Sequence, residues 1–252
     1  MQRYFVQLSF KGTNYHGWQI QPNATTVQEV VERAFSTVLR EKIEITGAGR
    51  TDTGVHASFF VAHFDSHRSE LETEKLVYRL NSFLPPDISL QRIWKVPAEA
   101  HARFSALSRT YKYFIHSKKD PFKTEISMLF TGDPDINKMN EGALLLKGYS
   151  DFTSFSRLHT DVKTNLCRII SASWKKDGNT LAFTIEADRF LRNMVRAITG
   201  TLLQLGTGRL SVGELRKIIE AKDRRVAGDS APARGLFLTD IKYPESIIYH
   251  IG

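Results

Sequence analysis

The stretch Ile43-Glu44-Ile45-Thr46-Gly47-Ala48-Gly49-Arg50-Thr51-Asp52-Thr53-Gly54-Val55-His56-Ala57-Ser58-Phe59-Phe60-Val61-Ala62 decides the architecture. Strand-like residues at about 42–48 lead into its centre, and a second apolar run at about 57–65 leaves it. Both runs are too short for helices, so they read as two strands joined by a loop. Gly47, Gly49 and Gly54 fall within eight residues, letting the backbone bend where a Cβ would forbid it and letting other groups approach closely. Between them stand one cation, Arg50, and one carboxylate, Asp52, with a hydroxyl on each side of the acid. Taken alone, the loop is either a tight turn whose aspartate bonds nearby amides or a rigid mount for one reactive acid.

A helix flanks this pair of strands on each side. Residues 4–10 alternate as a half-buried strand. Lys11 to Gln19 is a turn-rich loop carrying Tyr15 and Trp18, either packed down or in contact with a ligand. Thr26 with Glu29 opens a helix as a capping box, and Val27, Val30, Val31, Ala34, Phe35, Val38 and Leu39 line its apolar face. A second helix at 73–84 presents Leu76, Leu80, Phe83 and Leu84 and stops at Pro85-Pro86, before a strand at about 88–96. The order is βαββαβ, the ferredoxin-like arrangement.

The second half repeats that order. Tyr111 to Ile115 is a strand, and residues 135–147 a helix on Ile136, Met139, Ala143 and Leu144. A long loop passes Asp151-Phe152-Thr153-Ser154-Phe155 and Thr160 to Asn165, then a hairpin follows at 168–175 and 180–187 around Asp177-Gly178-Asn179. A long helix over 189–205 carries Leu191, Met194, Val195, Ile198, Leu202 and Leu205 on one stripe. Ser211 with Glu214 opens an extra helix, and a last strand covers 236–242. The expected fold is α/β (α+β): two tandem ferredoxin-like, RRM-like βαββαβ units whose mostly antiparallel sheets join. The expected domains are residues 1–104, carrying the acidic loop, and 105–252, with the extra helix.

Among its 252 residues the chain carries 35 Lys and Arg against 27 Asp and Glu, a net charge of +8 that favours a polyanionic partner. Cations stand beside rings in Arg103-Phe104, Arg109-Thr110-Tyr111-Lys112-Tyr113 and Arg189-Phe190, a pairing that suits phosphates and unstacked bases together. Solubilising charge on strand faces explains any one of these clusters equally well. No apolar run approaches the ~20 residues of a bilayer span. Met1 to Phe5 runs straight into strand sequence without a visible secretory signal, and Cys167 is the single cysteine. These features set the expectation of a reducing cytoplasm.

Several enzyme classes lack their equipment here. The chain has no Walker-type Gly-Lys-Ser/Thr, no dinucleotide fingerprint and no serine nucleophile elbow. His63 and His67 do not combine with Cys167 at zinc-ligand spacing, and His63 reads as structural. Asp52, Arg50, Tyr111 and the arginines of the 189–205 segment remain.

The string from Gly47 to Ala57 resembles the signature loop of the TruA family of tRNA pseudouridine synthases, with Thr53 where the family usually has Ala. Phe10-Lys11-Gly12 with Tyr15-His16-Gly17-Trp18-Gln19, Asp151-Phe152-Thr153-Ser154-Phe155, and Ala231-Pro232-Ala233 with Gly235-Leu236 follow the family's order over nearly the whole chain. The resemblance implies uridine-to-pseudouridine isomerisation at positions 38, 39 and 40 of the tRNA anticodon stem-loop. No cofactor or metal is implied, because the base is detached, turned and rejoined without redox change or hydrolysis.

The same resemblance assigns roles. Asp52 is the nucleophile, which must be ionised and therefore wants a cation beside it. Arg196, in Phe190-Leu191-Arg192-Asn193-Met194-Val195-Arg196, matches the family's partner arginine, and Val195 the aliphatic residue that contacts the target base. On spacing alone, Arg196 reads rather as an amphipathic side chain at the core edge. Tyr111 matches the tyrosine that stacks on the uracil, while Tyr113, two residues on, is expected in the core. Arg50 matches the arginine that supports base flipping, and His56 falls in register as a further substrate contact. The catalytic cleft is then expected between the two units, with the loops at 11–19 and 157–165 tracking phosphates. Ser230, in Gly228-Asp229-Ser230, departs from the family's commoner Gly-x-Thr, and is expected to lie away from the chemistry. The implied partners are tRNA and a second copy of the chain, with no membrane. The rival reading is a non-catalytic RNA-binding or chaperone protein with two RRM-like folds, although the aromatic strings of such sheets are missing from the strands.

Overall fold

The structure, a computed structural model, describes residues 1–157 and 164–248. Among these are nine strands and six helices in a mixed α/β arrangement, with mostly antiparallel pairing. They form two compact units: Met1–Leu107 with the stretch from Leu238 onward, and Ser108–Phe237. No helix among the described residues is long and apolar enough to cross a membrane.

The first unit contains β1 (Gln2–Phe10), α1 (Val27–Leu39), β2 (Ile45–Gly47), β3 (His56–Ser66), α2 (Thr73–Phe83) and β4 (Ile88–Lys95). Its strands lie in the order β4-β1-β3, with β2 paired to β3, all antiparallel. Helix α1 buries Val27, Val30, Val31, Ala34, Phe35 and Leu39, so the expected face is present with Val38 at its margin. Each full burial of such a side chain is worth about 1.5–3 kcal/mol. Leu76 and Leu80 in α2 and Leu84 just after it are buried, but Phe83, the last residue of the helix, is 49% exposed, off the face that Leu76 and Leu80 share.

Strand β2 is shorter than the expected 42–48, for a reason visible in its outer edge. The Ile43 N–H donates to Ser36 Oγ (3.0 Å), and the Ile45 N–H donates to Glu32 Oε1 (2.8 Å). Gln28 Nε2 donates to the Ile45 carbonyl and to Glu32 Oε1, both at 2.9 Å. Three α1 side chains, four residues apart, thus stand where a further strand would pair. They blunt an edge that would otherwise invite association, and they brace the strand that feeds the acidic loop.

The second unit contains β5 (Ser108–His116), β6 (Met128–Leu129), α3 (Ile136–Leu146), β7 (Ile169–Asp177), β8 (Thr180–Ala187), α4 (Met194–Gly206) and α5 (Val212–Ala221). Its strands run β5-β8-β7 antiparallel, with β6 parallel to β5. The hairpin turn is the two-residue Gly178-Asn179, with Gly178 at φ +54. In α3, Met139, Ala143 and Leu146 are buried while Leu144 is 65% exposed, so the apolar face is rotated from the expected one. The capping box of α5, Ser211 with Glu214, forms in full. Strand β9 (Leu236–Lys242) begins in the second unit and enters the first, where it lies next to β3, and α6 (Glu245–Ile248) follows. The expected phosphate-tracking loop at 157–165 falls mainly at 158–163, outside the described residues.

Helix α4 begins at Met194, five residues later than expected, because Asn193 takes φ +66 and no α-helix passes through that conformation. Its predicted stripe is nonetheless buried throughout: Leu191, Met194, Val195, Ile198, Leu202 and Leu205.

His63 is structural, as expected: 6% exposed, its Nδ1 accepts from the Ala102 N–H (3.2 Å), with the His101 ring 4.6 Å away. Burial, reinforced by His101 and Arg3 and opposed by Asp65, pushes its pKa down to about 4. The unfolded chain therefore binds the proton more readily, so stability should fall by about 1–3 kcal/mol as pH drops from ~6.5 to ~4. Denaturant titrations of His63→Gln across that range should show a flatter profile than the parent. The α1 brace gives a second expectation: Glu32→Ala leaves the Ile45 N–H unpaired and should cost about 1–3 kcal/mol, read as a lower midpoint in urea, with Glu32→Gln recovering most of it.

Candidate active site

The loop from Ala48 to Val55 is built by backbone contact. Ala48 N–H donates to the Val61 carbonyl (2.8 Å), Val55 N–H to the Asp52 carbonyl (3.1 Å), and Gly54, at φ +76, donates its N–H to the Tyr15 carbonyl (3.3 Å). The loop over 11–19 packs directly beneath. A Cβ at Gly17, which sits at φ +88, would stand 2.2 Å from the Thr51 carbonyl oxygen, and one at Gly12 would stand 2.0 Å from that of Val55. Only glycine allows these approaches, because any side chain would displace the backbone on both sides of Asp52.

Of the two roles open to that lower loop, its buried residues take the packing one. Tyr15 and Trp18 are 5% and 2% exposed, and the Trp18 indole stacks on Phe60 at 4.2 Å. The Tyr15 hydroxyl donates to Asp87 Oδ1 (2.6 Å), Asn14 Nδ2 donates to Asp87 Oδ2 (3.2 Å), and the Lys11 N–H donates to the Asp87 carbonyl (2.9 Å). Burial and the Asp87 carboxylate raise the Tyr15 pKa well above the usual phenol range, so it stays a donor. Asp87 was not legible as part of the site, since an acid after Pro85-Pro86 looks like an ordinary strand start. Lys11, Thr13, Asn14, His16 and Gln19 point outward.

Asp52 is half-buried on this mount, neither sealed in the core nor fully in water, while Arg50 and Thr53 are exposed. His56 lies elsewhere than expected. Its ring is 0% exposed, and its Nδ1 accepts the Gly12 N–H at 3.0 Å. It ties the lower loop to the acidic one and offers no face to a ligand, which corrects its reading as a substrate contact.

In the second unit, Arg196 occupies the first turn of α4 and is half-buried. Its Nε donates to the Ala231 carbonyl (2.7 Å), and the Ala231 N–H donates back to the Arg196 carbonyl (3.0 Å). This explains why Ala231-Pro232-Ala233 matters: the segment fixes one edge of a guanidinium. Val195, beside it, is 4% exposed. Tyr111 is half-buried on β5 opposite Ile185, with the Phe190 ring edge-on at 5.1 Å. Tyr113 is in the core, as its strand position implied. Its hydroxyl donates to the Pro232 carbonyl (2.8 Å), and its ring covers Gly235, where a Cβ would come within 2.6 Å. Burial drives the Tyr113 pKa far above the phenol range, opposed in part by the Arg196 and Arg234 cations.

Ser230 directly precedes Ala231 in this segment. Its Oγ accepts from Asn193 Nδ2 (2.7 Å) and from Arg224 Nη2 (3.0 Å). Cys167 is buried, and its thiol is pushed up to about 12, which removes it as a nucleophile at neutral pH. Among the described residues no three His, Cys, Asp or Glu side chains gather as a metal site.

Comparison with known proteins gives the chain's relatives. The sequence profile of the family described as tRNA pseudouridine synthase matches residues 8–105 and 143–244, which include Asp52 and Arg196 but not Tyr111. A protein of Bacteroides thetaiotaomicron named tRNA pseudouridine synthase A is 56% identical over 98% of this chain and 93% of its own length. Its namesake in Bacteroides fragilis is 54% identical over 98% of both chains, and that of Chlorobaculum tepidum 39% identical over 94% and 96%. With both matched segments covering well over half of its residues, the chain belongs to the tRNA pseudouridine synthase family.

Proposed function

We propose that this protein isomerises uridines 38, 39 and 40 of the tRNA anticodon stem-loop to pseudouridine, with Asp52 as the covalent nucleophile. That it is an isomerase acting on uridine in tRNA follows from its family. The position on tRNA and the residue roles are the inference. In the reaction the C1′–N1 bond breaks, a C1′–C5 bond forms, and the C5 proton is lost as N1 gains one, so no cofactor need enter. The observation that carries the role of Asp52 is its half-buried place on a loop whose backbone is pinned at Gly12 and Gly17. A carboxylate so held loses little entropy on reaching its target.

In this reading Arg196 is the cationic partner of Asp52, Tyr111 stacks on the uracil with Val195 beside it, and Arg50, exposed two residues before the acid, supports extraction of the base from its stem. Lys11 and its exposed neighbours follow the phosphates. The finer architecture is two ferredoxin-like domains, residues 1–104 and 105–252. The order β1-α1-β2-β3-α2-β4, with strands arranged β4-β1-β3-β2, supports this in the first, and β5-α3-β7-β8-α4-β9 in the second. The enzyme works as a homodimer in the cytoplasm.

Asp52→Asn removes the nucleophile while keeping its size, so conversion of a tRNA transcript should fall by at least about 10³-fold with tRNA affinity nearly intact. Parallel loss of binding and turnover would make Asp52 a scaffold residue and return the chain to the RNA-binding reading. A footprint along phosphates should also weaken tRNA binding by about tenfold or more between ~50 and ~200 mM salt. A flat response in filter binding would exclude such a footprint.

A further inference from the structure

We propose that Ser230 is a positioning residue for Arg196, the centre of a strap over residues 228–231 that aims the guanidinium. The inference rests on the reading of Arg196 as the partner of the catalytic acid.

Arginine is a long arm with several rotatable bonds, and a partner for an acid is useful only if its fork faces one way. Here the arm is held along its Nε edge by the Ala231 carbonyl at 2.7 Å. The direction of that hold depends on where the Ala231 carbonyl sits. The strap lies tightly on α4: a Cβ at Gly200 would stand 1.8 Å from the Asp229 carbonyl oxygen, and the Gly228 N–H donates to Thr201 Oγ1 (3.1 Å). Between Gly228 and Ala231, the one side chain tying the strap down in these contacts is Ser230. Its Oγ receives the Asn193 amide at 2.7 Å and the Arg224 guanidinium at 3.0 Å, and Arg224 Nη1 also donates to the Ala227 carbonyl at 3.3 Å.

Asn193 is the residue immediately before α4, held at φ +66, a conformation that asparagine tolerates better than most residues. Its side chain makes no cap bond to its own helix and reaches to Ser230 instead. One hydroxyl thus joins the start of the arginine-bearing helix, the cation at residue 224 and the segment that grips Arg196. The arrangement sets the angle of the arm more than it binds anything, since Ser230 is half-buried and Arg196 makes its own bonds to the next residue.

The test is a set of variants assayed for kcat, KM, tRNA affinity and melting temperature. Ser230→Ala removes the acceptor, and Asn193→Gly removes the donor while keeping a residue that accepts positive φ. Ser230→Ala should lower kcat roughly tenfold, the scale of a lost hydrogen bond to a charged group, and Asn193→Gly about threefold, the scale of a neutral one, with tRNA affinity and melting temperature close to the parent. Ser230→Thr restores the hydroxyl and should recover kcat to within about threefold. Arg196→Lys lacks the Nε donor, so adding Ser230→Ala to it should cost little more, the non-additivity expected of one unit. Unchanged kcat in Ser230→Ala, or full additivity with Arg196→Lys, would overturn the inference while leaving Arg196 in place. Full kcat in Arg196→Ala would instead remove the reading of Arg196 on which it stands.

Discussion

The contact between two loop backbones at Gly12 and Gly17 is the constraint on which the first unit's site depends. Carbonyls of Thr51 and Val55 sit where side chains of residues 17 and 12 would be, so the acidic loop cannot settle unless both positions are glycine. The same two loops are joined by the His56 ring and by the Tyr15 carbonyl, one accepting from Gly12 and the other from Gly54. The backbone of an aspartate between those pins has few conformations left, which is what the nucleophilic role proposed for Asp52 requires. The aromatic cluster of Trp18, Phe10 and Phe60 carries this rigidity into the core of β1 and β3.

The second unit solves a similar problem with different chemistry. Arg196 cannot be fixed by close packing alone, because its charged end has to reach polar surroundings. It is fixed by hydrogen bonds along one edge, and the carbonyl that makes the key bond belongs to a strap seated on the same helix. Tyr113 completes the seat from below, through the Pro232 carbonyl and the face of Gly235. A buried tyrosine thereby supports the gripping segment, while Tyr111, on the same strand face, keeps its half-exposed ring against Phe190.

Strand β2 shows how support extends outward from the acidic loop. It is only three residues long, yet it delivers the chain to Gly47 at the start of the loop. The α1 side chains that satisfy its free edge replace a missing neighbour strand, and in doing so they close it to pairing with other chains.

Much of this was legible in the residues themselves. Helical spacing located α1 and the buried stripe of α4, alternation located β1, the turn at Gly178 located the β7–β8 hairpin, and the family resemblance of the Gly47–Ala57 string singled out the acid. These are local signals, set by the 3.6- and 2-residue periods and by the freedom of glycine. Tertiary structure alone decided the rest, because it concerns contacts between residues far apart in the chain. That His56 is a buried brace, that Asp87 anchors the lower loop, that Ser230 meets Asn193 and Arg224, and that Ala231 grips Arg196 depend on which loops come to rest against each other. A hydroxyl or an imidazole reads the same in sequence whether it faces a ligand or holds a loop. Only its partners, brought together by folding, distinguish the two.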